Sequence, residues 1–213
     1  MNGDADVKRI GIFGGSFDPV HLGHTGLASD AMKQAGLHKV IFVPTAIQPF
    51  KLDRTPEQGR DRLEMLKLAA GDTEGFEIST YELDHQGISY SYLTMRAMQH
   101  RFGEDARLYF ITGTDAFLKI NKWRNSEEML EKYGYIIGTR PGCEKEELET
   151  LLDNIRRSHN TEIICIDNVQ IDVSSTEIRQ RLDSGLSIDD LVSDKVERYI
   201  KENGLYRTTV QEV

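Results

Sequence analysis

Apolar residues along this chain gather in short runs. The segments Lys8–Phe13, Lys39–Pro44, Phe76–Ser79, Arg107–Thr112, Tyr135–Thr139 and Glu162–Ile166 are rich in Ile, Val, Phe and Tyr, and most are apolar at consecutive positions. Consecutive apolar positions predict strands covered on both faces, as in a parallel sheet flanked by helices. Between the runs the spacing turns helical, with Leu27, Ala28 and Met32 after the first and Leu63, Leu66 and Ala70 after the second. This alternation predicts an α/β fold: a doubly wound, largely parallel sheet with helices on both faces.

Local signals predict the helix ends. Thr55 before Pro56, with Gln58 three positions on, fits a capping box, and Gly71 stops the helix that follows. Ser126 before Glu127 and Glu128, and Ser187 with Asp190, read as further N-caps. A helix from Asp194 is predicted to close at Gly204. With no internal repeat, low-complexity tract or Pro/Gly-rich linker, residues 1–213 read as one domain, of which 1–6 are expected to be a disordered leader.

Composition narrows the classes. Hydrophobic residues at 38%, joined by 18 glycines, suffice for a core. There are 35 acidic against 26 basic side chains, a net charge of -9, and no Lys/Arg-rich tract. Nothing here favours nucleic acid or an anionic membrane, so a phosphate ligand must be held by a few placed donors. No apolar run reaches a membrane span, and the N-terminal residues lack a signal-peptide pattern, so the chain reads as soluble and cytoplasmic. Cys143 and Cys165 lack metal or redox spacing, and Cys165 is expected in a buried strand.

Two constellations carry chemistry. The first strand runs into Gly14-Gly15-Ser16-Phe17-Asp18-Pro19-Val20-His21-Leu22-Gly23-His24. Adjacent glycines admit a ligand close to the backbone, and the following helix points its positive end at the same spot, which favours phosphate. His21 and His24, three residues apart, share one face of the first turn, with Gly23 between them expected to keep the way clear for a ligand. A glycine pair alone would equally make an ordinary turn, and the spacing is not the G-x-G-x-x-G of dinucleotide-binding dehydrogenases. Near the other end, Val173-Ser174-Ser175-Thr176-Glu177-Ile178-Arg179 offers hydroxyls at a helix start and an arginine one turn in, a second anion site. A doubly wound sheet would bring both to one crevice, and two such sites suit a triphosphate.

These two strings resemble the signatures of the H-x-G-H nucleotidyltransferase superfamily. Class I aminoacyl-tRNA synthetases share the first, but are longer and use a lysine-rich loop absent here. Further segments are similar to bacterial nicotinate-nucleotide adenylyltransferases over roughly residues 8–206: Pro44–Lys51, Arg62–Ala69, Gly87–Tyr90, Tyr109–Asp115 with Trp123 downstream, Arg140-Pro141-Gly142, and Val196–Tyr206. The resemblance implies a Rossmann-like fold and transfer of AMP from ATP to nicotinate mononucleotide, giving deamido-NAD and pyrophosphate. It implies phosphate binding by Gly14, Gly15, Ser16 and Phe17, reacting oxygens held by His21 and His24, and a triphosphate gripped by Ser175, Thr176 and Arg179. Gly113, Asp115 and Arg140 match positions near the nucleotide. Trp123 would stack on the pyridine ring, Ser89, Tyr90 and Ser91 would offer backbone donors to its carboxylate, and Lys51 would reach the mononucleotide phosphate. Mg2+ would arrive on the ATP phosphates, with no protein metal ligands.

The chain departs from the family at Gln48-Pro49-Phe50-Lys51, where a histidine commonly precedes the lysine, and at Ser91-Tyr92-Leu93-Thr94-Met95, where Thr and then Asp-Thr-Leu are common. Both departures lie in the acceptor region. Rival readings are the same chemistry on nicotinamide mononucleotide or phosphopantetheine, and a non-catalytic nucleotide-binding regulator. Partners are expected to be small molecules, with the oligomeric state, a homo-oligomer included, left open.

Overall fold

The computed structural model describes residues 7–47, 59–85, 87–139, 145–167 and 173–206. The predicted leader and the Thr55–Gln58 capping box lie outside them. Six strands, β1 (Arg9–Gly15), β2 (Lys39–Pro44), β3 (Phe76–Ile78), β4 (Arg107–Gly113), β5 (Gly134–Thr139) and β6 (Ile163–Asp167), form one sheet in the order β3-β2-β1-β4-β5-β6. Every pairing is parallel, with Ile12 opposite Ile41 on one side of β1 and opposite Phe110 on the other. The chain winds outward from β1 to β3, returns to β4 and winds the other way, so the switch point falls between β1 and β4.

The strands' period of two divides their side chains between two cores. Ile10 and Ile12 of β1 enter one cluster and Phe13 the other. The Phe13 side is covered by α1 (Leu22–Gln34), α2 (Gly59–Ala70), α8 (Ser175–Asp183) and α9 (Asp194–Glu202), through residues such as Leu27, Met65, Ile178 and Ile200. The opposite side is covered by α4 (Ser91–Phe102), α6 (Ser126–Lys132) and α7 (Lys145–Ser158), through Met95, Met98, Met129, Leu148 and Leu152. The short α3 (Tyr81–Asp84) and α5 (Thr114–Phe117) follow β3 and β4. Among the described residues no helix is long and apolar enough to cross a membrane.

Several expectations are corrected. Ser187 opens a turn, not a helix: its hydroxyl donates to Asp189 at 2.8 Å, and Ile188, Leu191 and Val192 are drawn into the core before α9 begins after Ser193. Ser126 is the first residue of α6, while Asn125 precedes it in the left-handed region at φ 58°, which asparagine tolerates. Cys165 is exposed because β6 is the sheet edge. The helix from Asp194 does end as predicted, with Gly204 at φ 61° just beyond it.

Candidate active site

At the end of β1 the backbone turns sharply. Phe17 adopts φ 46°, unusual for a residue with a side chain, and its ring is fully buried. It packs edge-on against Phe13, Phe42 and His24 at centroid distances of 5.6, 5.8 and 5.0 Å. Burying a phenyl ring gains about 2–3 kcal/mol, enough to offset a left-handed residue at about 1–2 kcal/mol. Gly15 is needed for this fold-back, because a Cβ there would lie 2.9 Å from the Phe17 ring. Phe17 therefore faces a ligand only with its backbone.

The loop is held from behind by residues far away in sequence. The Arg62 guanidinium, 2% exposed, donates to the Ser16 carbonyl at 2.7 Å. Burial pulls the Arg62 pKa down, and the neighbouring Asp18 charge partly restores it. Arg179 donates to the Asp18 carbonyl at 2.6 Å and to Thr176 Oγ1 at 2.9 Å, while the Ser175 hydroxyl donates to the Pro19 carbonyl at 2.9 Å. Tyr206 Oη donates to Asp18 Oδ1 at 2.8 Å. The Asp18–Pro19 peptide is cis. The two constellations thus meet through direct hydrogen bonds. Ser174 caps α8 by accepting from the Glu177 N–H at 3.1 Å, which leaves Ser175 and Thr176 in its first turn.

His21 stands at the N-cap of α1 and His24 one turn in, their rings stacked at 3.6 Å and 27°. The His21 N–H donates to His24 Nδ1 at 3.3 Å. With Nδ1 accepting, a neutral His24 carries its proton on Nε2, a donor suited to a phosphate oxygen. Packing also favours glycine at 23: a Cβ there would come within 3.0 Å of Val173 and 3.1 Å of His21.

Gly14 and Gly15 also line a cavity of about 590 Å³ beside the switch point. Its walls include Phe110 and Thr112 from β4, Thr45 after β2, and Asp115, with Gly113 at the N-cap of α5. Trp123, half-buried, lines it and meets Phe110 edge-on at 5.3 Å. Tyr90 and Ser91 line it at the start of α4, where Tyr90 provides no side-chain cap and the first N–H groups have no acceptor within the helix. Ser89 lines it too, but its N–H donates to the Ile47 carbonyl at 2.8 Å and its Oγ accepts from the Ala46 N–H at 2.9 Å. Its expected role as a backbone donor is therefore replaced by that of a brace. Lys51 and Arg140 lie outside the described residues.

Sequence reasoning missed Glu82, Lys119, Lys122 and Arg124, which also line the cavity. Three cations within six residues beside Trp123, in an acidic chain, were the available signal. Arg124 sits 4.8 Å above the Tyr90 ring, and that contact raises its pKa, chiefly through hydrogen bonding to Tyr90. Arg62 stood only at the head of the family-like segment Arg62–Ala69, with no sign of its contact with Ser16.

The cavity at the switch point of this doubly wound sheet opens beside Gly14 and Gly15, and the loop that follows them carries the stacked histidines and is hydrogen-bonded to the start of α8. The chain belongs to the cytidylyltransferase-like family, whose model matches residues 12–181. It is similar to a probable nicotinate-nucleotide adenylyltransferase of Thermoanaerobacter sp. (strain X514), 38% identical over 199 residues that cover 93% of this chain and 94% of the relative. A protein of the same description from Desulfitobacterium hafniense (strain DSM 10664 / DCB-2) is 40% identical over 210 residues, covering 97% of this chain and 100% of that one. Plasmodium falciparum nicotinic acid mononucleotide adenylyltransferase, solved in complex with NaAD, has the same fold with a TM-score of 0.76 at 19% identity, covering 93% of this chain and 97% of that one.

Proposed function

We propose that this protein transfers AMP from ATP to nicotinate mononucleotide, forming deamido-NAD and pyrophosphate in NAD biosynthesis. The observation that carries the reading is the direct joining of the histidine loop to the start of α8, next to a cavity walled by Trp123 and the start of α4. The relatives' names supply the acceptor.

A phosphate oxygen of the mononucleotide attacks the α-phosphorus of ATP, a new P–O bond forms, and the bond to the β-phosphate breaks to release pyrophosphate. A phosphate monoester has a second pKa of about 6, so the nucleophile is already largely dianionic and needs no strong base. What the protein supplies is position and charge stabilisation. His24 Nε2–H, the backbone of Gly14–Phe17 and the first turn of α8 donate to phosphate oxygens, with Arg179 adding positive charge. Gly113 and Asp115 border the nucleotide. Imidazole, hydroxyl, amide and guanidinium donors around the site suit anions, and ATP would enter as its magnesium complex, the ion held mainly by phosphates and water and neutralising charge on the leaving pyrophosphate. Trp123 covers the pyridine ring, and the Tyr90 and Ser91 N–H groups take its carboxylate.

The test is magnesium-dependent pyrophosphate release from ATP with nicotinate mononucleotide, nicotinamide mononucleotide and phosphopantetheine in parallel. Preference for the first is expected. Release only with another acceptor would reassign the substrate, and ATP binding without release would favour a regulator.

A further inference from the structure

Two carboxylates line the acceptor cavity, and they differ in kind. Asp115 is exposed, whereas Glu82 in α3 is 8% exposed. Glu82 Oε1 accepts a hydrogen bond from the buried Thr94 hydroxyl, and the Ser89 hydroxyl also interacts with this carboxyl. Oε2 is shielded from solvent and has no hydrogen bond of normal geometry. Burial pushes the Glu82 carboxyl upward, towards its neutral form, more than these hydroxyls pull it down. A buried acid with one unpartnered oxygen is costly, so a role beyond packing is expected of it.

Its contacts indicate that role. Ser89 and Thr94 bracket the turn from Tyr90 to Leu93, which starts α4. Ser89 is also tied to the segment after β2 through the Ala46 N–H and the Ile47 carbonyl. We propose that Glu82 is a positioning residue for acceptor selectivity: by holding Ser89 and Thr94 it fixes the turn that presents the Tyr90 and Ser91 N–H groups to an anionic ring substituent in preference to a neutral one. This inference rests on the adenylyltransferase reading above. A carboxylate can accept from both N–H groups together, while a carboxamide offers one acceptor oxygen and a competing NH2. Paired hydrogen bonds weaken steeply with misalignment, so a loosened turn loses the anion's advantage first.

The experiment compares KM for nicotinate mononucleotide, nicotinamide mononucleotide and ATP in the wild type, Glu82→Ala and Glu82→Gln. Losing one hydrogen bond to a charged acceptor raises the nicotinate KM in Glu82→Ala by about tenfold, and the preference over nicotinamide falls by a similar factor. The ATP KM stays close to wild type. Glu82→Gln keeps the shape and an oxygen for Thr94, so it recovers most of the preference. Should Glu82→Ala fold poorly, Thr94→Val removes the same hydrogen bond at nearly the same volume and lowers the preference in the same direction. Equal losses for both mononucleotides, or lowered stability with the preference intact, would overturn the inference. A wild type that does not favour nicotinate mononucleotide would instead overturn the functional reading on which it stands.

Discussion

Tyr206→Phe removes one oxygen atom, and the structure says what that atom holds. Tyr206 Oη donates at 2.8 Å to Oδ1 of Asp18, a side chain only 2% exposed. A hydrogen bond to a charged group contributes about 1.5–3 kcal/mol, and the acceptor left behind is buried where water cannot fully replace the lost donor. For a domain of this size each kcal/mol moves the melting temperature by about 2–4 °C, so a central loss of about 2 kcal/mol lowers it by about 4–8 °C. The measurement is thermal unfolding followed by circular dichroism, beside a KM determination for ATP. Since Asp18 belongs to the loop proposed to cradle phosphate, the ATP KM should rise while the acceptor KM holds. A double-mutant cycle with Asp18→Asn isolates the pair: the cost of Tyr206→Phe should shrink when the carboxylate is gone. An unchanged melting temperature, or a full cost persisting in the Asp18→Asn background, would refute the reasoning.

Three further outcomes are expected. His24→Ala should lose about a hundredfold or more in pyrophosphate release, the usual cost of deleting a donor to a transition-state oxyanion, with an unchanged far-ultraviolet spectrum; normal turnover would remove His24 from the chemistry. Trp123→Ala should raise the acceptor KM well above its effect on ATP, and equal effects would assign the indole to packing against Phe110. The acid limb of stability should depend on the clasp between α4 and α6, where Arg96 forks onto Glu128 with one hydrogen bond at 2.8 Å. That contact is the chief reason the Glu128 carboxyl titrates down at about 2 instead of 4.5. A depressed carboxyl stabilises fully above its unfolded pKa and loses that contribution as pH falls through the folded value, so the loss runs from about 4.5 to about 2. Solvent around the exposed guanidinium keeps the effect small. Urea unfolding of Arg96→Met against pH should show a flatter acid limb, and parallel curves would contradict this.

The elements set by local pattern were legible in the sequence. Lys39–Pro44 is a strand over its predicted span, and the two phosphate signatures come together as a doubly wound sheet requires. What escaped depends on the third dimension. Ser187 and Asp190 have the composition of a helix start, but Ile188, Leu191 and Val192 gain more by entering the core than a first turn would supply. Cys165 sits in an apolar run typical of a covered strand, and only the strand order reveals it at an edge. The burial of Arg62 and Glu82 escaped because nothing in one dimension marks a charged group for burial. The close approach of Val173 and the His21 ring to Gly23 is likewise invisible in one dimension.

The loop between Gly15 and His21 is fastened by partners that lie 156, 161 and 188 positions away along the chain, at Ser175, Arg179 and Tyr206. Protein synthesis proceeds in one direction, so the histidine loop leaves the ribosome early and its fasteners leave late. For most of translation the first strand and its glycines can pair with β2 but lack the late contacts that fasten the loop after them. Bringing together contacts of such long sequence separation is also slow, since the chain between them must be ordered first. The same bonds that join the two signatures therefore make the shape of an early loop depend on the last elements of the chain: without α8 and Tyr206 the loop would lose the Ser175, Arg179 and Tyr206 contacts that fasten it.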